Sequence, residues 1–404
     1  MNNVNLNILL SGQLVSQIGD KLYMLALSFM VLESTGSSGK MGIVLFAGIL
    51  PLVIVGLFAG VVVDRFNRKK IIIITDFLRG CITAVVSLLY YLEMLNFEAI
   101  LISQILLGIN SAFFNPVIPS VIPMIVAKDK LSSANAKTQF ISGFSNIAGP
   151  AIGGILVATY GYLIVFILNA LSYLVSALFE CFLKIPQVKI NKSESFIDGL
   201  KKGYGYIFSD IPLVIIIFMV FLVHFFVGAI EIAIPVISTL IPGKGSVNMG
   251  YLQTAFGTGA VLMAFILSLV NIMKKESELL FKGALLIGLL LILSGVAGVY
   301  TPGLLFYLFI FLLLSAFLIM AATGFQTLIQ KRTSKEMTGR VFGVVSSIGN
   351  FSVPFSMLFY GYLMENYSLA KILIISGVFI TLSCIASSIL YKQRESTTTT
   401  HTTT

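Results

Sequence analysis

The chain has no tryptophan and only three cysteines, and 11% of its 404 residues are charged, against about 25% in soluble domains. Each shortage excludes something. Scarce charge, with 57% hydrophobic residues and a mean hydropathy of +0.99, excludes water as the main solvent. Cys81, Cys181 and Cys384 stand in apolar stretches with no C-x-x-C spacing, which argues against structural disulfides and against a zinc or dithiol site. Without tryptophan, tyrosine must supply any interfacial belt, and Tyr90, Tyr91, Tyr160, Tyr300 and Tyr391 stand near the ends of apolar runs. No phosphate loop is present, since Lys40 and Lys244 follow Gly but lack the Ser or Thr that should come next, so ATP hydrolysis is excluded. Nucleophile elbows and His-rich clusters are missing too, and neither a metal nor a cofactor is expected. A net charge of +9 would suit nucleic acid if it gathered on one polar face. It lies instead in short loops between apolar runs, so nucleic acid is not an expected partner.

What is present is a succession of apolar segments. A membrane-spanning helix takes roughly 20 mostly apolar residues in a row. Residues 41–63, 99–127, 245–273, 341–364 and 372–391 contain no charged side chain. Two longer runs hold a pair of spans each: 138–179 divides at Tyr160-Gly161-Tyr162, and 283–330 at Tyr300-Thr301-Pro302-Gly303. Segments 9–32, 71–92 and 211–240 carry internal charges, and the sum is twelve spans. The amino terminus lacks the positive region of a cleavable signal, so the first span is expected to be retained. With that terminus in the cytoplasm, all but five of the 26 Lys and Arg residues fall on the cytoplasmic side. Lys40, Lys244 and Lys371 fall outside, and Lys21 and Arg79 within spans, a distribution that follows the positive-inside rule. Both termini are therefore expected in the cytoplasm.

The longest polar stretch is 184–210, with Phe196, Ile197, Leu200 and Tyr204 at helical spacing. It reads as a cytoplasmic linker with a short surface helix. It would join a six-span half, 1–183, to a second, 211–392, with a disordered polar tail over 393–404. The halves resemble each other weakly. Met41-Gly42 recurs as Met249-Gly250, and the Asn135-to-Pro150 element as Gly339-to-Pro354. Repeated halves suit a transporter that rocks one half against the other.

The turn after the second span reads Gly60-Val-Val-Val-Asp64-Arg65-Phe-Asn67-Arg68-Lys69-Lys70. Gly56 and Gly60 are spaced to let a neighbouring helix approach, and Asp64 ends the span where it could face the positive end of another helix. A cytoplasmic latch between the halves is expected here. These residues resemble the hallmark of the major facilitator superfamily, G-x-x-x-D-R-x-G-R-[RK], with Asn67 in place of the second glycine, a mild departure because Asn also tolerates positive φ. Further residues resemble the macrolide-efflux-type, drug:proton antiporter branch: Ser16-Gln-Ile-Gly19-Asp20-Lys21-Leu, Asp76-Phe-Leu-Arg79, Asn115-Pro116, Ala134-Asn135-Ala136, and Gly339-Arg340-Val-Phe. Gly149-Pro150-x-x-Gly153-Gly154 is similar to that superfamily's antiporter motif. The resemblance implies an all-α fold of twelve helices in two pseudo-symmetric halves and a secondary exporter in a bacterial cell membrane.

An ionised side chain at mid-bilayer costs about 2.5–3.5 kcal/mol even on lenient insertion scales, so each is a functional candidate. Asp20, halfway along the first span, is the leading proton or substrate-charge site. Lys21 points some 100° away and is expected to meet an acid on another helix. Asp76 and Arg79, at i and i+3, can pair on one face as a structural ion pair. His224 and Glu231 lie on one face about 10.5 Å apart and are candidates for the coupling path. Gly339 and Arg340 would form a second-half gate, and the second-half loop equivalent to the Asp64 turn, around 268–275, lacks the acidic residue. The expected activity is proton-driven export of hydrophobic or amphiphilic compounds such as macrolides by a monomer, not an enzyme. Export of a siderophore or metabolite, or movement of a lysophospholipid, keeps the same fold. A non-transporting sensor or scaffold would need a larger soluble part than 184–210 supplies.

Overall fold

The computed structural model describes residues 3–127, 130–185, 204–269, 276–300 and 303–401. Twelve long helices follow one another among them: α1 (Asn3–Thr35), α2 (Ser38–Arg65), α3 (Arg68–Tyr91), α4 (Phe97–Ile125), α5 (Leu131–Tyr160), α6 (Tyr162–Cys181), α7 (Ile211–Leu240), α8 (Gly245–Leu269), α9 (Glu276–Gly298), α10 (Leu304–Arg332), α11 (Lys335–Asn366) and α12 (Leu369–His401). Each is long and apolar enough to cross a membrane. Large side chains such as Phe140, Phe309, Ile375 and Leu382 are more than 60% exposed along them, a surface that hydrocarbon tolerates and water does not.

Helix boundaries follow local chemistry. A single residue, Gly161, separates α5 from α6. Its φ of +79° and ψ of −179° lie in a region open to glycine almost alone, and its N–H closes α5 on the Val157 carbonyl at 3.0 Å. Asn67 opens α3 and Asn96 opens α4, their side-chain oxygens accepting from the N–H groups of Lys70 and Ala99 at 3.3 and 2.8 Å. The positive φ that Asn67 could tolerate is not what it adopts. Its φ is −68° because it serves as a cap. At the amino terminus α1 begins six residues earlier than the apolar run, where Asn5 exchanges hydrogen bonds with the Lys184 backbone at 3.0 and 3.2 Å. The polar tail, expected to be disordered, instead prolongs α12 as far as His401. Extending a formed helix adds a hydrogen bond per residue with no new nucleation cost.

Two compact units share the chain, Met1–Asn191 with Ile234–Thr254, and Lys192–Ala233 with Ala255–Thr404. In the first, α1 packs on α5 and α6, α2 on α4, and α3 on α4 and α6. Leu6, Leu9, Ile72, Val117 and Val121 form a core there. The last two turns of α7 and the start of α8 also belong to this unit, which boundaries drawn at 183 and 211 do not anticipate. In the second, α9 packs on α10 and α12 around Leu213, Ile216, Leu280, Ile329 and Val344. Hydroxyls inside the helices mostly bond to their own backbone. Thr75, Thr83 and Ser87 donate to the carbonyls of Ile71, Arg79 and Thr83 at 2.7–2.8 Å, which satisfies them away from water.

Candidate functional site

The first unit gathers its buried charges where α1, α3 and α6 meet. Glycine brings the helices together: a Cβ at Gly19 would run into Ser172 and Asn169, and one at Gly12 would lie 3.0 Å from the Ser176 hydroxyl, so α6 sits close on α1. Next to Gly19, Asp20 is half-buried and accepts a hydrogen bond from the Tyr173 hydroxyl of α6. Arg79 of α3 is 4% exposed, with its guanidinium carbon 4.3 Å from the Phe114 ring centre and 5.5 Å from that of Tyr173. It donates Nη1 to Asp76 at 3.3 Å and Nη2 to the Ser111 hydroxyl of α4 at 3.0 Å. The expected i, i+3 pair is present, but it is not isolated. Asp20 acts electrostatically on both of its members.

A third acid completes the group. Glu180, in the last turn of α6, is 0% exposed, as is Asp76. Its Oε1 lies 3.5 Å from the Ser176 hydroxyl, and its charge and that of Asp76 act on each other and on Arg79. Three carboxyl groups therefore act on one guanidinium, and Asp76 is the one in contact with it. Lys21, exposed on α1, acts electrostatically on Asp20 and lays its Cβ against Gly149 of α5. Sequence reading missed Glu180 and Tyr173. Glu180 directly follows the apolar run 138–179, where a carboxylate looks like a solvated stop. The usable signal was that it precedes Cys181 by one residue and the Lys184 charge by four, so it lies inside the last turn.

The antiporter-like residues of α5 face two helices. Gly149 and Gly153 lie against Lys21 and Leu22 of α1, whereas a Cβ at Gly154 would strike the Ser246 carbonyl of α8 and one at Gly250 would lie 2.6 Å from the Pro150 carbonyl. Thr254 and Lys244 add hydrogen bonds to the carbonyls of Ile147 and Ala158 at 3.2 and 2.8 Å. In the basic turn, Arg68 is buried and donates to Ser120 of α4 at 3.1 Å, and Lys69 donates to the carbonyl of Cys181 at 2.7 Å. Both contacts fall inside the first unit. The side chains of Gly60, Asp64, Arg65, Gly339 and Arg340 lie outside the described residues, as do residues 186–203 of the linker. Among the described residues, nothing lies within 4 Å of a Cβ placed at Gly56.

In the second unit, His224 of α7 donates Nδ1–H to its own helix at the Val220 carbonyl, 2.8 Å away, and sets its ring edge to Phe325. Glu231 is half-buried two turns along the same helix. Among the described residues, no cluster of His, Cys, Asp and Glu suits a metal ion.

Residues 2–402 match the family described as transmembrane secretion effector, a branch of the major facilitator superfamily. The chain belongs to that family. Macrolide efflux protein A of Streptococcus pyogenes is 24% identical over 383 residues, covering 93% of each chain. The multidrug efflux pump Tap of Mycobacterium tuberculosis is 24% identical over 376 residues, covering 89% of this chain and 86% of Tap. Among solved structures, the POT family transporter PepTSo superposes with a TM-score of 0.78 at 10% identity, covering 98% of this chain and 99% of that one. A D-xylose-proton symporter gives 0.73 at 14% identity, with 96% and 97% covered. The fold is thus the twelve-helix major facilitator fold, and the protein is a multi-pass membrane transporter, not an enzyme.

Proposed function

We propose that this transporter exports hydrophobic or amphiphilic compounds, macrolide-type molecules among them, in exchange for protons across a bacterial cell membrane. It works as a monomer with both termini in the cytoplasm. The observation that carries this reading is the setting of Asp20: a carboxyl midway along α1, bonded to Tyr173 and within electrostatic reach of the Arg79 guanidinium. A carboxyl within a span that can balance the influence of an Arg against a proton is a coupling device, since each state satisfies the site differently. The relatives' names support efflux and the macrolide class of cargo. The close seam of Gly154 and Gly250 supplies one gate, and the basic turn at Asn67–Lys69 the other. His224 and Glu231 provide a second titratable stretch along α7.

Reconstitution in proteoliposomes with a pH-reporting dye tests the reading. Adding a macrolide should move protons across the membrane, and Asp20→Asn should abolish that movement. If the protein carries some other solute normally while no amphiphile moves protons, the proposal is wrong.

A further inference from the structure

Two hollows open at the end of the first unit opposite the basic turn, where α1 and α3 stop and α4 and α6 begin. One, of about 310 Å³, is lined by Val31 and Glu33 of α1, Tyr90 of α3, Leu95 of the turn that follows, Phe97 of α4 and Tyr162 of α6. The other, of about 390 Å³, shares Tyr90 and Leu95 with it and adds Tyr91 and Glu93. Tyrosines of an interfacial belt turn outward, and Tyr91 does so at 69% exposed. Tyr90 does not. It is half-buried, in T-shaped contact with Tyr162 and Phe166 at 6.3 and 5.5 Å between ring centres, which fixes an aromatic corner at the hollow.

The charge there is of one sign. Glu33 is exposed at the hollow, and its Oε2 accepts from the Tyr162 hydroxyl. Among the described residues, no Lys or Arg forms an ion pair with Glu33 or Glu93, and neither α1 nor α3 has a basic residue in its last turn. The protein's own ammonium shows what the wall attracts. Lys40 Nζ lies 5.7 Å from the ring centre of Phe97, close enough for a cation to be drawn to the aromatic face.

We infer that the smaller hollow binds an organic ammonium group, quaternary or protonated tertiary, with Glu33 as counter-ion and Tyr90, Phe97 and Tyr162 as its aromatic wall. Rings beside a carboxylate suit a weakly hydrated organic cation, whereas calcium or magnesium calls for a shell of six or more oxygens. A volume of about 310 Å³ is at the small end of ligand pockets, so it takes a compact head group. Glu33 lies about 20 Å along α1 from Asp20, which separates this site from the buried charges. Lys40 competes with the ligand for Phe97.

Titration of choline against the full chain in maltoside micelles, followed by saturation-transfer NMR, tests the site. Choline should bind saturably, and dimethylbutanol, its uncharged isostere, should not. Glu33→Gln, at an exposed position that folding tolerates, should weaken binding at least tenfold, and Tyr90→Leu several-fold. Lys40→Met should tighten it. Asp20→Asn should leave it unchanged. Equal binding of the isostere, full affinity in Glu33→Gln, weaker binding in Lys40→Met, or loss in Asp20→Asn would each overturn the inference. A choline lipid carries the same head group as the free cation, and nanodiscs distinguish the two sources. Choline binding that persists in phosphatidylcholine nanodiscs supports the site with a free cation as its ligand. Binding lost there and kept in phosphatidylethanolamine supports it with the lipid head group as occupant. No transport enters the measurement, so its outcome is independent of the export reading.

Discussion

The two units treat ionisable residues in opposite ways. In the first, Asp76, Arg79 and Glu180 are buried against one another with Asp20 beside them, packed between α1, α3, α4 and α6. In the second, the ion pairs seen among the described residues stand toward helix ends, while Glu231 lies half-buried within α7. Arg332 meets Asp210 at 3.2 Å, Lys331 meets Glu276 at 2.6 Å, and Lys282 meets Glu278 at 2.7 Å, all at least partly exposed. The middle of that unit is aromatic instead, with Phe225 and Phe226 of α7 against Tyr360 of α11 at ring separations of 5.8 and 6.1 Å. Pseudo-symmetric halves thus need not share the chemistry. One unit buries a charged cluster, and the other sets aromatic rings of α7 against α11.

Several substitutions sharpen or break this contrast. Arg79→Ala leaves buried carboxyls without their cation, a change that typically costs about 3–5 kcal/mol. A large drop in thermal unfolding temperature in detergent is the expected result, and an unchanged melt would show that the cluster is not buried as described. Asp20→Asn should abolish drug-driven proton movement while drug binding, measured by fluorescence titration, persists. His224→Gln should reduce transport less, and a larger loss from His224→Gln than from Asp20→Asn would move coupling into the second unit. Gly154→Leu makes α5 resemble α11, where the repeat offset puts Met357 and Leu358 in place of Gly153 and Gly154. Pressing that side chain on the Ser246 carbonyl should cost about 1–3 kcal/mol, as overpacking does, and should slow transport. Its counterpart at the second unit's edge, Arg332→Ala, removes a partly exposed pair and should cost no more than about 1 kcal/mol. A loss as large as that of Arg79→Ala would erase the distinction between the units.

Features governed by neighbouring residues were readable from the sequence. The break between α5 and α6 shows in Tyr160-Gly161-Tyr162, because a glycine between two apolar runs is a local event. The α7 limits, Ile211 and Leu240, are where apolar residues begin and end. The pairing of Asp76 with Arg79 follows from helical spacing alone. What escaped was convergence at long range. Asp20, Asp76 and Glu180 are far apart in the chain, and only the packing of α6 onto α1 and α3 brings them together. Gly12 and Gly19 permit that packing, but a glycine does not announce which helix it will meet.

The one-residue connection at Gly161 has a mechanical side. With no slack between them, α5 and α6 cannot slide independently, so a tilt of α5 at Gly154 must swing α6 as well. Tyr173, twelve residues beyond Gly161 and so about 18 Å along the axis, rides at the far end of that lever with its hydroxyl on Asp20. Prying open the seam at Gly250 would tug on the carboxyl at mid-span, and a longer, slacker connection inserted at Gly161 should uncouple the two.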